Sequence, residues 1–240
     1  MLIEVCANSL ESALNAQLAG ADRIELCSEL GVGGITPSYG LIKMVKEQLN
    51  IPVHVLIRPR SGHFTYSELE FEVMKNDIAL CNEAGVDGIV SGLLQSDFTL
   101  DFKRTKQLVE ISRPMKFTFH RAFDWIPNPE KAQSQLQELE VDCILTSGQQ
   151  TTAENGLDLL LELNSTSKTC IIMPGGGVET KNIEKFRDAG FKAIHLSGTS
   201  FKNQISVAHK ISMNSEKHLR ENQVAVTNAE TIRQIVQSVK

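Results

Sequence analysis

One short phrase recurs along this chain and constrains its fold more than any other feature: a helical pattern runs out at a glycine, and a β-rich run begins three residues later. It is read in "LAGADRIEL" at Gly20, in "EAGVDGIV" at Gly85 and in "DAGFKAIHL" at Gly190. Glycine enters the left-handed region without steric cost, so each of these positions can cap a helix and turn the chain into the next strand. Repeated punctuation of this kind belongs to consecutive βα units and a parallel sheet. Eight strand candidates fit it: Leu2–Cys6, Arg23–Cys27, Val53–Arg58, Gly88–Ser91, Lys116–His120, Asp142–Ser147, Cys170–Pro174 and Ala193–Ser197. Eight parallel strands close into a barrel, and 240 residues lie near the roughly 250 typical of one. The expected fold is α/β, a single-domain (β/α)8 TIM-type barrel over residues 1–240, with a core of about 1–200 and a tail and closing helix in 201–240. Periodicity alone leaves an open doubly wound sheet as the alternative.

Helix starts agree with this organisation. Ser9 leads into Leu10–Leu18, Ser38 into Leu41–Leu49, and Ser67-Glu68-Leu69-Glu70 opens a segment to Ala84 with the spacing of a capping box. Beyond Ser200 the pattern weakens: Asn203–Val226 is mostly polar and unassigned, and Thr227–Lys240 reads as the closing helix.

Composition narrows the function classes. The 41% hydrophobic and 22% charged residues are those of an ordinary globular chain. The net charge of -5 is spread without long runs, which argues against a nucleic-acid partner. There is neither a signal-peptide pattern at Met1-Leu2-Ile3-Glu4-Val5 nor an apolar run of about 18 residues, so no membrane partner is expected. The five scattered cysteines do not form a disulfide framework and suit a reducing, cytoplasmic compartment.

In a barrel of this kind the chemistry sits at the C-terminal ends of the strands. The first two strands carry the same phrase, Glu4-Val5-Cys6 and Glu25-Leu26-Cys27, and a period of two puts each carboxylate on the face of its thiol. If both faces point inward, Cys6 and Cys27 are either small core residues or a thiol pair able to bridge a soft ion, with Cu(I) favoured when no third soft ligand is present. In "KFTFHRAFDW" a strand ends in His120, followed by Arg121 and Asp124. His120 can be a metal ligand or a general acid/base, Arg121 can clamp an anion and Asp124 can orient either, or Arg121 and Asp124 simply pair to hold the loop. His195 and Ser197 close the eighth strand, His195 being either functional or a hydrogen-bonded core residue; Arg58 and Arg60 place two guanidiniums near the rim after the third.

Pro174-Gly175-Gly176-Gly177 and the segment from Ser197 to Ser200 occupy the positions where this fold often cradles phosphate, and "LTSGQ" adds Thr146 and Ser147. Glu4, Glu25, His120, Asp124 and His195 are therefore the catalytic candidates. Arg58, Arg60, Arg121, Ser147, Gly175, Gly176, Gly177 and Ser197 are the candidates for a small anionic metabolite. No strand ends in lysine, which sets aside a Schiff-base aldolase, and Gly-x-Ser-x-Gly, P-loop and His-Glu-x-x-His patterns are absent.

"EVCANSLESALNAQLAGADRIELC", "GGITPSYGLI", "IRPRSGHFTYS", "FTFHRAFD", "LTSGQ" and "MPGGGV" together resemble the successive motifs of the CutC family, from Met1 to about Ser197. The loop "RPRSGHF" departs from the family pattern at Ser61 and His63, where Gly and Asp are expected. The resemblance implies a TIM-type barrel, a cytoplasmic homo-oligomer and a role in copper homeostasis, with copper, as Cu(I), falling on the motif cysteines Cys6 and Cys27. The Glu, His and Arg set points separately to acid-base chemistry on a small anionic or phosphorylated metabolite.

Overall fold

Side chains that alternate along a strand force a sheet to present two different faces, and here the two faces pack against different things. In the computed structural model, which describes residues 1–203, 205–207, 210–211 and 221–240, the strands are β1 (Leu2–Ala7), β2 (Arg23–Leu26), β3 (Val53–Leu56), β4 (Gly88–Ser91), β5 (Lys116–Phe119), β6 (Cys143–Thr146), β7 (Ile171–Pro174) and β8 (Ala193–Leu196). They form one parallel sheet in the order β7-β6-β5-β4-β3-β2-β1-β8, and a bridge between Gly175 and His195 joins its two ends. The fold is a (β/α)8 barrel. The helices between strands are α1 (Leu10–Leu18), α2 (Tyr39–Gln48), α3 (Glu68–Glu83), α4 (Phe102–Ser112), α5 (Pro129–Glu138), α6 (Leu157–Thr166) and α7 (Ile183–Asp188), and α8 (Ala229–Val239) closes the chain.

The outward residues of the strands, among them Ile3, Val5, Ile24, Val55, Ile89, Phe117, Phe119, Ile172 and Ile194, belong to one continuous core with the helices. Burying a Phe or Ile in such a core is worth roughly 1.5–3 kcal/mol each, so this layer carries most of the stability. The lumen is different. It holds two small apolar clusters, one of Cys143, Leu145, Met173 and Ala193 and one of Cys27, Leu56 and Val90. The other inward positions include the polar residues Glu4, Arg23, Glu25, His54, Thr118 and His195. A barrel whose interior is part polar positions ionisable groups at the cost of some packing.

Five strands, β2, β3, β5, β6 and β8, stop short of the C-terminal ends that the sequence pattern predicts, while β1 runs one residue further, to Ala7. Cys27, His120, Ser147 and Ser197 each lie just beyond the last strand residue, and Arg58 lies two beyond β3. These residues leave the ladder because they turn into the loops of the mouth. The unassigned tail contains an element the sequence did not reveal, an antiparallel hairpin of β9 (Thr199–Asn203) and β10 (Gln223–Thr227). It is anchored to the start of α1, where Thr227 N–H donates to Ser12 Oγ at 3.1 Å and Asn15 Nδ2 donates to Thr227 O at 3.0 Å. Within the tail 201–240, positions 204, 208, 209 and 212–220 lie outside the described residues.

Candidate active site

The C-terminal mouth opens into a cavity of about 1250 Å³. Its floor is lined by Cys6, Glu25, Cys27 and His195, one wall by Phe64, His120 and Trp125, and the lip by Phe201, Val224 and Ala225 of the hairpin.

Strand register decides what meets what on the floor. Parallel pairing puts Glu4 level with Arg23 on one side and with His195 on the other, and puts Cys6 level with Glu25. The two Glu-x-Cys phrases are therefore staggered by two residues, as the shear of a closed barrel requires. Arg23 Nε donates to Glu4 Oε2 at 2.5 Å, and Glu4 Oε1 lies 2.8 Å from His195 Nδ1. Glu25 Oε2 lies 3.7 Å from the same nitrogen and has no hydrogen-bond partner on the protein. The Cys6 thiol also lies against the His195 ring.

This arrangement separates the two carboxyls. Burial alone would raise Glu4, but the Arg23 guanidinium and the His195 hydrogen bond outweigh it and hold the carboxyl at about 2. Burial pushes Glu25 up to about 7, helped by Glu4 and opposed by His195. Burial would lower His195, but Glu25, Cys6 and Glu4 together raise it well above its ordinary value. Glu4 is fully buried behind the floor, so it orients His195, whereas Glu25 and His195 reach the cavity.

His120 is neutral. Burial and then the charge of Arg58 push it down to about 3, and its Nδ1 accepts the Ala122 N–H at 3.1 Å. A general-base role at neutral pH is thereby removed, because the one lone pair of the ring is already used.

The arginines divide. Arg58 lines the cavity with its guanidinium donating to the carbonyls of Val32, Gly34 and Gly62, and forms no ion pair among the described residues, so it keeps a buried positive charge. Arg60 turns away from the mouth: it donates to Glu70 at 2.5 Å and stacks 5.0 Å from the Tyr66 ring, tying its loop to the capping box of α3. Arg121 donates to Asp124 at 2.8 Å and to Ser147 Oγ at 2.9 Å. Asp124 also accepts from Thr146 Oγ1 and from the backbone and hydroxyl of Ser147, which leaves its carboxylate occupied as the hub of that loop.

Gly175 N–H donates to Thr146 O at 3.0 Å, so it serves the sheet; Gly176 and Gly177 line the cavity with Ser197. Gly176 takes a φ of +103°, which strains any side chain, and a Cβ there would also lie 3.0 Å from Arg121 Nη1.

Among the described residues, Glu4, Glu25 and His195 bring ligand atoms within 4.8 Å of one another, a set of oxygen and nitrogen donors suited to a hard or borderline cation. Cys6 and Cys27 do not enter that cluster. They are free thiols at different levels of the floor, not a pair at matched strand ends, because the stagger sets Cys6 opposite Glu25. Burial, followed by Cys6 and Glu25, raises the Cys27 thiol far above its ordinary value. Arg23 and the hairpin lip went unread in the sequence. Arg23 shares the period of two with Glu25 and Cys27, and that was its only signal.

The site sits wholly within a segment that the model of the CutC family matches, residues 1–200, apart from the lip. The chain belongs to the CutC family. A family protein CutC of Photorhabdus laumondii is 50% identical over 197 residues, covering 82% of this chain and 79% of that one. Another, from Klebsiella pneumoniae, is 41% identical over 233 residues, covering 96% and 94%, so that CutC relative spans the tail as well. A solved structure from Streptococcus agalactiae, provisionally named copper homeostasis protein CutC, superposes with a TM-score of 0.78 at 34% identity, over 82% of this chain and 98% of that one.

Proposed function

We propose that the barrel mouth is an active site in which Glu25 and His195 exchange a proton with a small, polar, anionic metabolite, while Arg23 and Glu4 hold His195 in place. The observation that carries this reading is the Glu25 carboxyl: buried at the cavity floor, without a protein partner on Oε2 and 3.7 Å from His195 Nδ1. A carboxyl that ionises near neutral pH is matched to general acid/base work there. The buried charge of Arg58 favours an anionic or electron-rich substrate. Turnover assays over hydroxy acids and free and phosphorylated sugars test it. Glu25→Gln and His195→Gln are expected to lose at least about 100-fold in rate. Turnover that survives both substitutions, or none on any substrate, overturns the reading.

A second reading has its own observation. Cys6 and Cys27 both line this cavity, and the Streptococcus agalactiae relative is named for copper homeostasis. Cu(I) would enter as cargo and displace the thiol protons, which the burial of Cys27 makes harder. Anaerobic Cu(I) titration against a competing chelator decides it; affinity unchanged in Cys6→Ala/Cys27→Ala would sink the cysteine site. Five free thiols fit the proposed cytoplasmic setting. Light scattering after gel filtration tests the proposed homo-oligomer.

A further inference from the structure

The proton-transfer pair leaves His120, a buried and chemically able group of the mouth, without a task. Its Nδ1 is occupied by the Ala122 N–H, so the ring proton resides on Nε2, which then can only donate. Nε2 is buried and has no acceptor on the protein, in a side chain whose residue is 5% exposed and lines the cavity. A buried donor left without an acceptor costs about 1–3 kcal/mol, and native structures rarely retain one without a use.

The ring is also held firmly. Phe64 packs against it with the rings tilted by 54° and their centroids 5.0 Å apart, and Gly92 leaves room for it, since a Cβ there would lie 2.6 Å from Nδ1. The Arg58 guanidinium stands over the Phe64 ring, 5.2 Å from its centroid, and its charge opposes a second proton on the His120 imidazole. His120 follows β5 and Glu25 lies on β2, three strands apart around the barrel, so a ligand filling the mouth has one group on each side of it.

We propose that His120 Nε2–H is a fixed, neutral hydrogen-bond donor to a substrate carbonyl oxygen, and that the substrate is an α-hydroxy aldehyde or ketone exchanging the proton on the carbon beside that carbonyl. The proposal rests on the reading of Glu25 and His195 as the proton-transfer pair. Glu25, as carboxylate, takes the proton from the carbon. The C–H electron pair becomes the C=C bond of an enediolate, and the carbonyl π pair moves onto oxygen, where His120 donates. Return of the proton to the same carbon re-forms the carbonyl and restores the carboxylate, so the exchange balances without an oxidant or reductant. A neutral donor suits this task because it stabilises the oxyanion without surrendering its proton.

The test is deuterium wash-in. Aldoses and ketoses of three to six carbons, free and phosphorylated, are incubated with the full chain in D2O, and deuterium on carbon is read by mass spectrometry. Wild type is expected to incorporate deuterium at the carbon next to the carbonyl. His120→Ala is expected to lose about 100-fold or more, the effect of removing one oxyanion donor, while His120→Gln, which keeps an N–H, retains at least about a tenth of the wild-type rate. Nitrogen NMR of the histidine rings provides a readout independent of turnover: a single Nε2-protonated form for His120 is expected, and an Nδ1-protonated form overturns the proposal. Exchange in His120→Ala within about threefold of wild type overturns the role of His120 and leaves Glu25 untouched. Turnover of another kind without exchange, or no exchange on any sugar, overturns the carbonyl substrate. Exchange that persists in Glu25→Gln instead overturns the underlying proton-transfer pair.

Discussion

His54 faces the lumen below the candidate site, 3% exposed, and its ring fills the space that a side chain at Gly88 would need, with a Cβ there only 2.4 Å from Nε2. Burial and then the Arg23 charge push it down to about 4. An unfolded histidine titrates near about 6.5, so between these values the unfolded chain binds the extra proton. The stability that neutral His54 contributes is therefore complete above about 6.5 and is lost as pH falls through about 4. At pH 5 the loss from this one residue amounts to about 2 kcal/mol. Glu25, His120 and His195 add their own pH dependence to both proteins, so the difference between the two is what reads His54: from urea unfolding, the stability of wild type relative to His54→Gln is expected to fall by about 2 kcal/mol between pH 7 and pH 5; a difference that stays constant would mean that His54 does not titrate in this range. The roles of Arg60 and Asp124 were not settled by the sequence. Sequence places both at the rim, but only the loop conformations, with Glu70 capturing one and Thr146 and Ser147 surrounding the other, spend their charges on structure. The level of each Glu-x-Cys phrase was equally hidden, since a period of two fixes the face and leaves the register open.

At the scale of elements, local chemistry was the reliable guide. Ser9, Ser38 and Ser67 each accept a backbone N–H from three residues on, and Ser67 with Glu70 completes the capping box. The hairpin had no such signal: Thr199–Asn203 is of mixed composition, Gln223–Thr227 is short, and the pairing that makes them strands is non-local. Its attachment to the barrel depends on α1. Ser12, fully buried, accepts the Thr227 N–H at 3.1 Å and donates to Asn8 Oδ1 at 3.1 Å. Ser12→Ala leaves that N–H, in a residue 3% exposed, without its acceptor. The expected cost is about 1–3 kcal/mol, falling on the hairpin more than on the barrel. Hydrogen exchange should then quicken in residues 223–227 while β1 to β5 keep their protection. Unchanged exchange in β10 would show that the hairpin is held by other contacts. Because Phe201, Val224 and Ala225 form the lip, the same substitution should also loosen ligand binding at the mouth.

For the molecule as a whole, strand count and glycine punctuation pointed to a closed barrel, but closure itself lies in contacts no periodicity encodes. The seam between β7 and β8 is carried by the bridge of Gly175 with His195, so the residue that closes the barrel is also one of the pair proposed to transfer protons. Gly175 is extended enough for any residue, since its φ is not in the left-handed region; space is what restricts it. A Cβ there would lie 2.5 Å from Leu145 Cδ1 and 3.2 Å from His195 Cβ. Leu145 is 4% exposed within the lumen cluster of Cys143, Met173 and Ala193, so it has little room to yield. Gly175→Ala should therefore cost roughly 1–3 kcal/mol by overpacking, which at about 2–4 °C per kcal/mol in a chain of this size lowers Tm by about 2–12 °C. The same displacement should move the ring resonances of His195, because its Cβ is the next atom met. Gly40→Ala, in the exposed first turn of α2 with nothing within 4 Å of the added carbon, is the matched control and should be neutral or raise stability by up to about 1 kcal/mol. If Gly175→Ala melts with wild type while His195 keeps its resonances, the seam is slack and the position of His195 is set by Glu4 and Arg23 alone. If both shift together, barrel closure and the geometry of the candidate site are one structural event.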